Sequence, residues 1–197
     1  MPLDDVSAGP TEQAAVVLFE HWGATPDEIG GPVVGDELVP DARLSCTRSI
    51  DIAAPPAAVF PWLVQMGFGR AGWYSYDWLD NLGRRSATTI HPEWQDVAQG
   101  DTIPGGPIEF DVAIVERPNA FVLQTPHTGR VLRRIGFTLA YELRPTPEGT
   151  RLVTRMRGRV DAPLGRLVEQ LVLGPGDGIM VRRQLLNLRE RAASGGS

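Results

Sequence analysis

The sequence predicts an α+β fold in which an antiparallel sheet packs against one long C-terminal helix. Four strand-like segments follow one another with only turns or short connections between them, and they span 108–116, 120–125, 131–144 and 150–160. Consecutive strands without intervening helices pair in the antiparallel sense. A helical pattern then covers 163–193, with Asp161 as its N-cap and Pro163 in its first turn. A curved sheet crossed by such a helix leaves a cavity between the two.

Three segments precede these strands. Residues 11–23 form a short predicted helix that ends at Gly23. Residues 24–42 are rich in proline, glycine and acidic side chains, which is typical of an extended wrap. Residues 44–52 alternate between apolar and polar side chains and are therefore predicted to form a strand.

Proline and glycine mark the two core helices. Pro55 and Pro56 open a predicted helix over 56–66, since proline is tolerated in a first turn. Pro61 is expected to kink or shorten that helix, because it removes one backbone donor from the helix interior. The sequence GPGDG at 174–178 is expected to interrupt the last helix.

Length and composition are those of an ordinary globular chain. The 197 residues predict one domain, with an N-terminal helix and wrap at 1–43 and a core at 44–193. The formal charge of −5 argues against nucleic acid as a partner, because phosphate binding requires a basic surface. Cys46, the single cysteine, excludes an internal disulfide and a cysteine-based zinc cluster. With neither a signal peptide nor an apolar run of about 18 residues, we expect a cytoplasmic protein without a membrane span.

The order of these elements resembles the SRPBCC or START-like superfamily, whose members have the helix-grip fold. The strand at 44–52, the following APPAAVFPWLVQMG, the strand series and the final helix carry this resemblance, which covers roughly residues 22–193. The segments GRAGWYSYDWLDNLGRRSA, HPEWQDVAQGD and GDELVPDARL further resemble an uncharacterised bacterial branch, often labelled polyketide cyclase/dehydrase-like or lipid-transport-like.

The resemblance implies a curved antiparallel sheet wrapped around the C-terminal helix, with a helical insertion after the first core helix. It implies a deep cavity for a hydrophobic or amphipathic small molecule, such as a polyketide-, lipid- or aromatic-like ligand. It does not imply a single reaction, because the superfamily includes carriers, sensors and enzymes.

Strand alternation predicts which side chains face that cavity. In 135–143 the apolar face carries Phe137 and Tyr141, and in 151–160 it carries Thr154 and Met156. The opposite face of the latter strand carries Arg151, Arg155, Arg157 and Arg159. We expect this arginine row to form a solvated outer face of the sheet, and not a nucleic-acid stripe.

Two arginines break the alternation. Arg48 shares the apolar side of its strand with Cys46, and Arg133 shares it with Phe137. A buried charge must be paired or must meet a ligand, so either arginine could anchor a carboxylate or enolate. The alternatives are a strand end that reaches solvent and a bulge that shifts the register.

The segment AGWYSYDWLDNLGRRSA at 71–87 concentrates aromatic and charged side chains. Read as a helix from Ser75, it aligns Tyr74, Trp78 and Leu82 on one face and pairs Asp80 with Arg84. We therefore predict that Trp78 and Leu82 pack on the core. The preceding aromatics, bracketed by glycines, are predicted to border the cavity mouth; they are Trp73, Tyr74 and Tyr76.

Candidate catalytic groups near this segment are Asp77, His91 and Glu93. Any of them could transfer a proton in a cofactor-free cyclisation, dehydration or isomerisation, with Arg48 or Arg133 stabilising an enolate. The histidine and glutamate do not have a trustworthy metal spacing, so we expect no metal site and no cofactor. Two other readings remain open: a non-catalytic carrier or sensor, and a structural module whose aromatic segment meets a protein partner.

Overall fold

The computed structural model describes residues 20–126, 134–162, 165 and 174–194. Within these residues the strands are β1 Leu44–Ile52, β2 Thr102–Pro104, β3 Glu109–Glu116, β4 Ala120–Gln124, β5 Ile135–Thr146 and β6 Gly149–Val160. The α-helices are α1 Pro26–Gly30, α2 Pro56–Val64, α3 Asp77–Asp80 and α4 Gly174–Ser194. Single 3₁₀ turns lie at Asp36–Leu38 and Pro92–Trp94.

The six strands form one antiparallel sheet in the order β1-β6-β5-β4-β3-β2, which confirms the predicted fold class. The β5–β6 hairpin turns at Gly149, whose φ of +146° favours glycine. A Cβ there would also lie 2.2 Å from the carbonyl oxygen of Ile52. The β2 edge is only three residues long and ends in Pro104.

The core lies between the inner face of the sheet and helices α2 and α4. Helix α4 buries one stripe at helical spacing, formed by Val181, Leu185, Leu188 and Ala192. Helix α2 contains Pro61 and ends at Val64, two residues before the predicted end. This is the arrangement of a helix-grip protein, with the insertion between α2 and β2 closing one end.

Some predicted elements lie outside the described residues. The predicted N-terminal helix falls mostly on residues 1–19, and the start of the predicted third strand on 127–133, which includes Arg133. The first half of the predicted last helix falls mostly on 163–173. The predicted interruption by GPGDG at 174–178 is wrong, because these five residues are themselves helical and belong to α4.

The prediction of a solvated arginine row is wrong, because the wrap at 24–42 covers it. Arg155 is only 4% exposed. It donates to Thr47 Oγ1 at 2.9 Å, to Asp36 Oδ2 at 2.7 Å and to the Glu28 carbonyl at 2.6 Å. Arg151 forms a bidentate pair with the Glu28 carboxylate, both bonds measuring 2.8 Å. Acidic side chains of the wrap therefore neutralise the row.

The wrap also builds a second apolar layer on the outer face of the sheet. Val33 from the wrap is buried there against four sheet residues, Ala113, Val122, Ala140 and Val153. Helix α1 begins with a capping box, in which Thr25 and Glu28 each bond to the backbone N–H of the other. Both faces of the sheet are consequently covered, the outer one by the wrap and the inner one by helices α2 and α4.

Candidate functional site

A cavity of about 190 Å³ lies between the sheet and the start of α4. Three aromatic side chains form much of its wall. Trp73 and Phe110 contact edge to face with ring centroids 5.8 Å apart, and Phe110 lies 6.0 Å from Phe137. The other described lining residues are Ser75, Asp80, Gly105, Leu123, Leu139, Met180, Val181 and Gln184. The cavity is therefore apolar and aromatic, with few polar groups.

A groove of about 450 Å³ adjoins the cavity. The two share Asp80, Gly105 and Met180 in their walls. Beyond these three, the groove is lined by Phe68, Leu79, Leu82, Gly106 and Pro107. A molecule seated in the cavity would therefore have a route past Asp80 to the surface.

Asp80 is the only ionisable group among the described residues that line the cavity. Both carboxylate oxygens are buried, and neither accepts a hydrogen bond from any residue the structure describes. Burial is the main cause that raises the pKa of this carboxyl to about 6, and the neighbouring Asp77 carboxylate adds to the rise. The nearby Ser75 hydroxyl opposes the rise only in part. Asp80 can therefore change its charge near neutral pH.

Gln184 is a further polar residue of the cavity wall, and its amide is already engaged. Its Oε1 accepts a hydrogen bond from the Tyr141 hydroxyl at 2.8 Å. Its Nε2 donates to the Trp73 carbonyl at 2.8 Å and contacts the Met66 sulfur at 3.5 Å. Gln184 thus holds Trp73 in place and leaves Asp80 and Ser75 as the groups able to meet a ligand.

The insertion that carries Trp73 and Asp80 is bonded to one face of α4. Gln184, Asn187 and Arg191 are spaced along that face and donate to the carbonyls of Trp73, Tyr74 and Ala87 respectively. The Arg191 guanidinium also lies 4.9 Å from the Tyr74 ring centre. The helix therefore positions the cavity wall through three main-chain contacts.

Asp77, a predicted catalytic residue, does not line the cavity. Its carboxylate accepts hydrogen bonds from the Ser86 backbone N–H at 3.1 Å and from the Ser86 hydroxyl at 2.5 Å. Ser86 in turn accepts a hydrogen bond from the Tyr74 backbone N–H at 3.3 Å. These contacts fix the shape of the insertion and engage the Asp77 carboxylate away from the cavity.

His91 and Glu93, the other predicted catalytic residues, lie together at the surface. His91 Nδ1 is 3.2 Å from a carboxylate oxygen of Glu93, and 61% of the Glu93 side chain is exposed. The imidazole stacks on Trp94 with ring centres 4.5 Å apart. The structure brings this pair together but does not place it in the cavity wall.

The predicted aromatic rim divides into separate places. Trp73 lines the cavity, whereas Tyr74 is 1% exposed and buried in the core, where Gln65 Nε2 donates to its hydroxyl at 2.6 Å. Burial raises the pKa of Tyr74 above its ordinary range. Tyr76 is half-buried and caps the N-terminus of α3.

The predicted packing of Trp78 and Leu82 on the core is wrong, since they are 72% and 74% exposed. The expected long helix is only the four residues of α3. Tyr74 and Leu82 both adopt positive φ, of +57° and +50°, so the chain leaves helical geometry on each side. Arg84 is consequently not paired with Asp80, contrary to the helical spacing.

The predicted inward strand residues point into the core, but only one reaches the cavity. Phe137 lines it. The other four are each at most 1% exposed and lie elsewhere in the core: Arg48, Tyr141, Thr154 and Met156. Arg133 lies outside the described residues. Their predicted part in ligand binding stays a prediction.

Sequence reasoning missed Asp80, Phe110, Leu123 and Met180 as cavity residues. Asp80 stands in the aromatic segment, but an assumed helix paired it with Arg84. Phe110 could have been found from the sequence, because it is the second residue of β3 and closely follows the glycine-rich turn at 104–107. Leu123 and Met180 look like any other core residue in the sequence.

Among the residues that the structure describes, no three His, Cys, Asp or Glu side chains converge in a way that could hold a metal ion. None of the helices in those ranges is long and apolar enough to cross a membrane.

Comparison with known proteins assigns no family to this chain. No protein-family model matches the sequence, and no curated protein matches it. Solved structures of similar architecture include a Mesorhizobium loti protein, 18% identical over 78% of this chain and 98% of that chain, with a TM-score of 0.44. The Aha1 dimer from Colwellia psychrerythraea is 14% identical over 78% of this chain and 98% of that one, with a TM-score of 0.47. At these identities the likeness concerns the fold alone.

Proposed function

We propose that this protein binds a small amphipathic molecule in the cavity between the sheet and α4. The apolar part of the ligand lies against Trp73, Phe110 and Phe137, and its polar end meets Asp80. The observation that carries the proposal is an aromatic cavity whose described walls contain a single ionisable group, placed where the cavity joins the surface groove. Membership of the START-like superfamily, suggested by the sequence, belongs to the same proposal.

The size of the cavity limits the ligand. An apolar cavity of about 150 Å³ is large enough to bind benzene. The cavity of about 190 Å³ therefore suits one or two rings or a short acyl chain. Anything longer must continue along the groove past Asp80, which favours ligands with a polar group near the middle or at one end.

A second candidate function is cofactor-free proton transfer, and the pKa of Asp80, about 6, favours it. A general base works best when its pKa lies near the operating pH. Asp80 would then take the place that the sequence suggested for Asp77, His91 or Glu93. A ligand with an acidic C–H beside a carbonyl group would be a substrate for isomerisation or cyclisation, whereas any other ligand would simply be carried.

Binding of 2-naphthylmethanol, a two-ring molecule with one polar end, tests the primary proposal. Calorimetric titration of the wild-type protein is expected to show one site. Leu139→Phe fills the cavity and is expected to weaken binding by roughly tenfold, equivalent to about 1.4 kcal/mol.

Leu186→Phe is the matched control, because Leu186 packs against the same core without lining the cavity. Circular dichroism melting of both variants establishes that they fold. Equal affinity in all three proteins, or no binding to the wild type, would show that the cavity is not the binding site.

A further inference from the structure

We propose that the cavity selects ligands with a protonated amine, and that Asp80 is the counter-ion. The inference rests on the proposed function and adds the chemical class of the ligand. Small arylalkylamines, with one or two rings and a primary ammonium group on a short stem, have the required chemistry.

The first argument is the state of the Asp80 carboxylate. Its two oxygens are buried and receive no hydrogen bond from the described residues. A buried carboxylate without donors is costly, and a cation that donates hydrogen bonds removes that cost. An ammonium group carries three donors and no acceptor, which matches a site with several unfilled lone pairs.

The second argument is the local balance of charge. No lysine or arginine lines the cavity or the adjoining groove among the residues described. The nearest ionised group that acts on Asp80 is Asp77, which has the same sign. The charges of the described residues therefore make the field at this point of the cavity negative, which disfavours a carboxylate or phosphate ligand and favours a cation.

The third argument is the aromatic wall. Trp73 and Phe110 are in contact with each other and line the same cavity as Asp80. Aromatic faces attract ammonium groups by about 0.5–2 kcal/mol, depending on how far water is excluded. A ligand cation near Asp80 can therefore be stabilised by ring faces as well as by the carboxylate.

A neutral alternative exists, in which Asp80 is protonated and donates to a carbonyl or hydroxyl oxygen. The location of Asp80 where the cavity opens into the groove favours the cation, because a charged ligand group can keep part of its hydration there. The Ser75 hydroxyl, which lies close enough to Asp80 to oppose the rise of its pKa, can accept one of the ammonium protons.

Three ligands with the same rings separate these cases: 2-naphthylmethylamine, 2-naphthylmethanol and 2-naphthoate. Calorimetric titration at about pH 7.5, where the amine is protonated, is expected to show amine affinity at least roughly tenfold above that of the alcohol. The naphthoate is expected to bind weakest. In Asp80→Asn the preference for the amine should fall to within about threefold of the alcohol, whose own affinity should change little.

Asp27→Asn is the charge-matched control, because Asp27 is exposed on α1, which packs on the opposite face of the sheet. It should keep the amine preference of the wild type. Alcohol binding as tight as amine binding in the wild type would overturn the inference and leave the proposed function standing. A preference that persists in Asp80→Asn would also overturn it, whereas failure of all three ligands to bind would remove the proposed function itself.

Discussion

The hydrogen bonds of a single arginine side chain connect the outer face of the sheet to the wrap. Arg155 lies in β6 and uses all three of its nitrogens in hydrogen bonds to β1 and the wrap. Its acceptors are one hydroxyl, one carboxylate and the three carbonyls of Glu28, Ile29 and Gly31. The planar guanidinium suits this distribution of acceptors, which a lysine ammonium cannot reach at the same time.

Replacing Arg155 by lysine is therefore expected to destabilise the protein by about 2–4 kcal/mol, since several buried acceptors lose a charged donor. Urea unfolding followed by circular dichroism measures the change. Arg159→Lys is the control, because Arg159 pairs only with two exposed carboxylates among the described residues, Asp41 and Asp161, and this variant should lose less than about 1 kcal/mol. Similar losses in both variants would mean that the wrap does not depend on Arg155.

At the scale of elements, helix α4 both fills the core and holds the insertion. Its apolar stripe packs on the sheet, while Gln184, Asn187 and Arg191 donate to carbonyls of the insertion. The cavity wall is consequently attached to the helix by hydrogen bonds, and α3 itself is too short to be a stable element alone.

Asn187→Ala removes the 2.7 Å bond to the Tyr74 carbonyl and is expected to cost about 1–2 kcal/mol. Hydrogen exchange should then speed up across residues 73–76 while β5 and β6 keep their protection. Arg189→Ala, an exposed change in the same helix, should leave the exchange pattern unchanged. Uniformly faster exchange in Asn187→Ala would point to global destabilisation and contradict a local attachment.

Five of the six described strands could be predicted from the sequence, whereas the short strand β2 and the insertion could not. β1 was predicted residue for residue at 44–52, because its apolar side chains recur with the period of two that is typical of a strand. The insertion depends on Tyr74 and Leu82 in left-handed backbone conformations, which non-glycine residues seldom adopt and a sequence pattern does not signal. The helical interpretation therefore placed the Trp78 side chain in the core and paired Asp80 with Arg84. It missed Asp80 as the only ionisable residue among the described residues that line the cavity.

At the scale of the whole molecule, two carboxyl groups on opposite faces of the sheet make the stability of the fold depend on pH in opposite directions. Hydrogen bonds from Arg151 lower the pKa of Glu28 to about 2, so its contribution is present above pH 4.5 and is lost as pH falls. Asp80 has a pKa of about 6 in the folded protein against 3.8 when unperturbed. The folded state therefore binds the Asp80 proton more tightly, and stability falls as pH rises from 3.8 to 6.

Asp80→Asn should consequently raise the melting temperature at about pH 7.5 and leave it nearly unchanged at about pH 4. We expect a gain of about 1 kcal/mol, a value reduced for solvent screening of a half-buried group, or about 2–4 °C. Thermal melts of the wild type and of Asp80→Asn at the two pH values measure the difference in melting temperature. Both proteins contain Glu28, so its contribution cancels from that difference. A lower melting temperature for the variant at the higher pH would contradict a destabilising Asp80 carboxylate.

The short strand β2 also affects how the molecules behave toward each other. An open sheet edge exposes a row of N–H and C=O groups onto which a strand of a neighbouring molecule can add. Here that edge is three residues long, Pro104 has no N–H to offer, and its carbonyl already accepts a bond from Phe68 at 2.7 Å. A ladder cannot extend from this side, so the sheet is protected against fibre growth at the edge nearest the insertion even in concentrated solution.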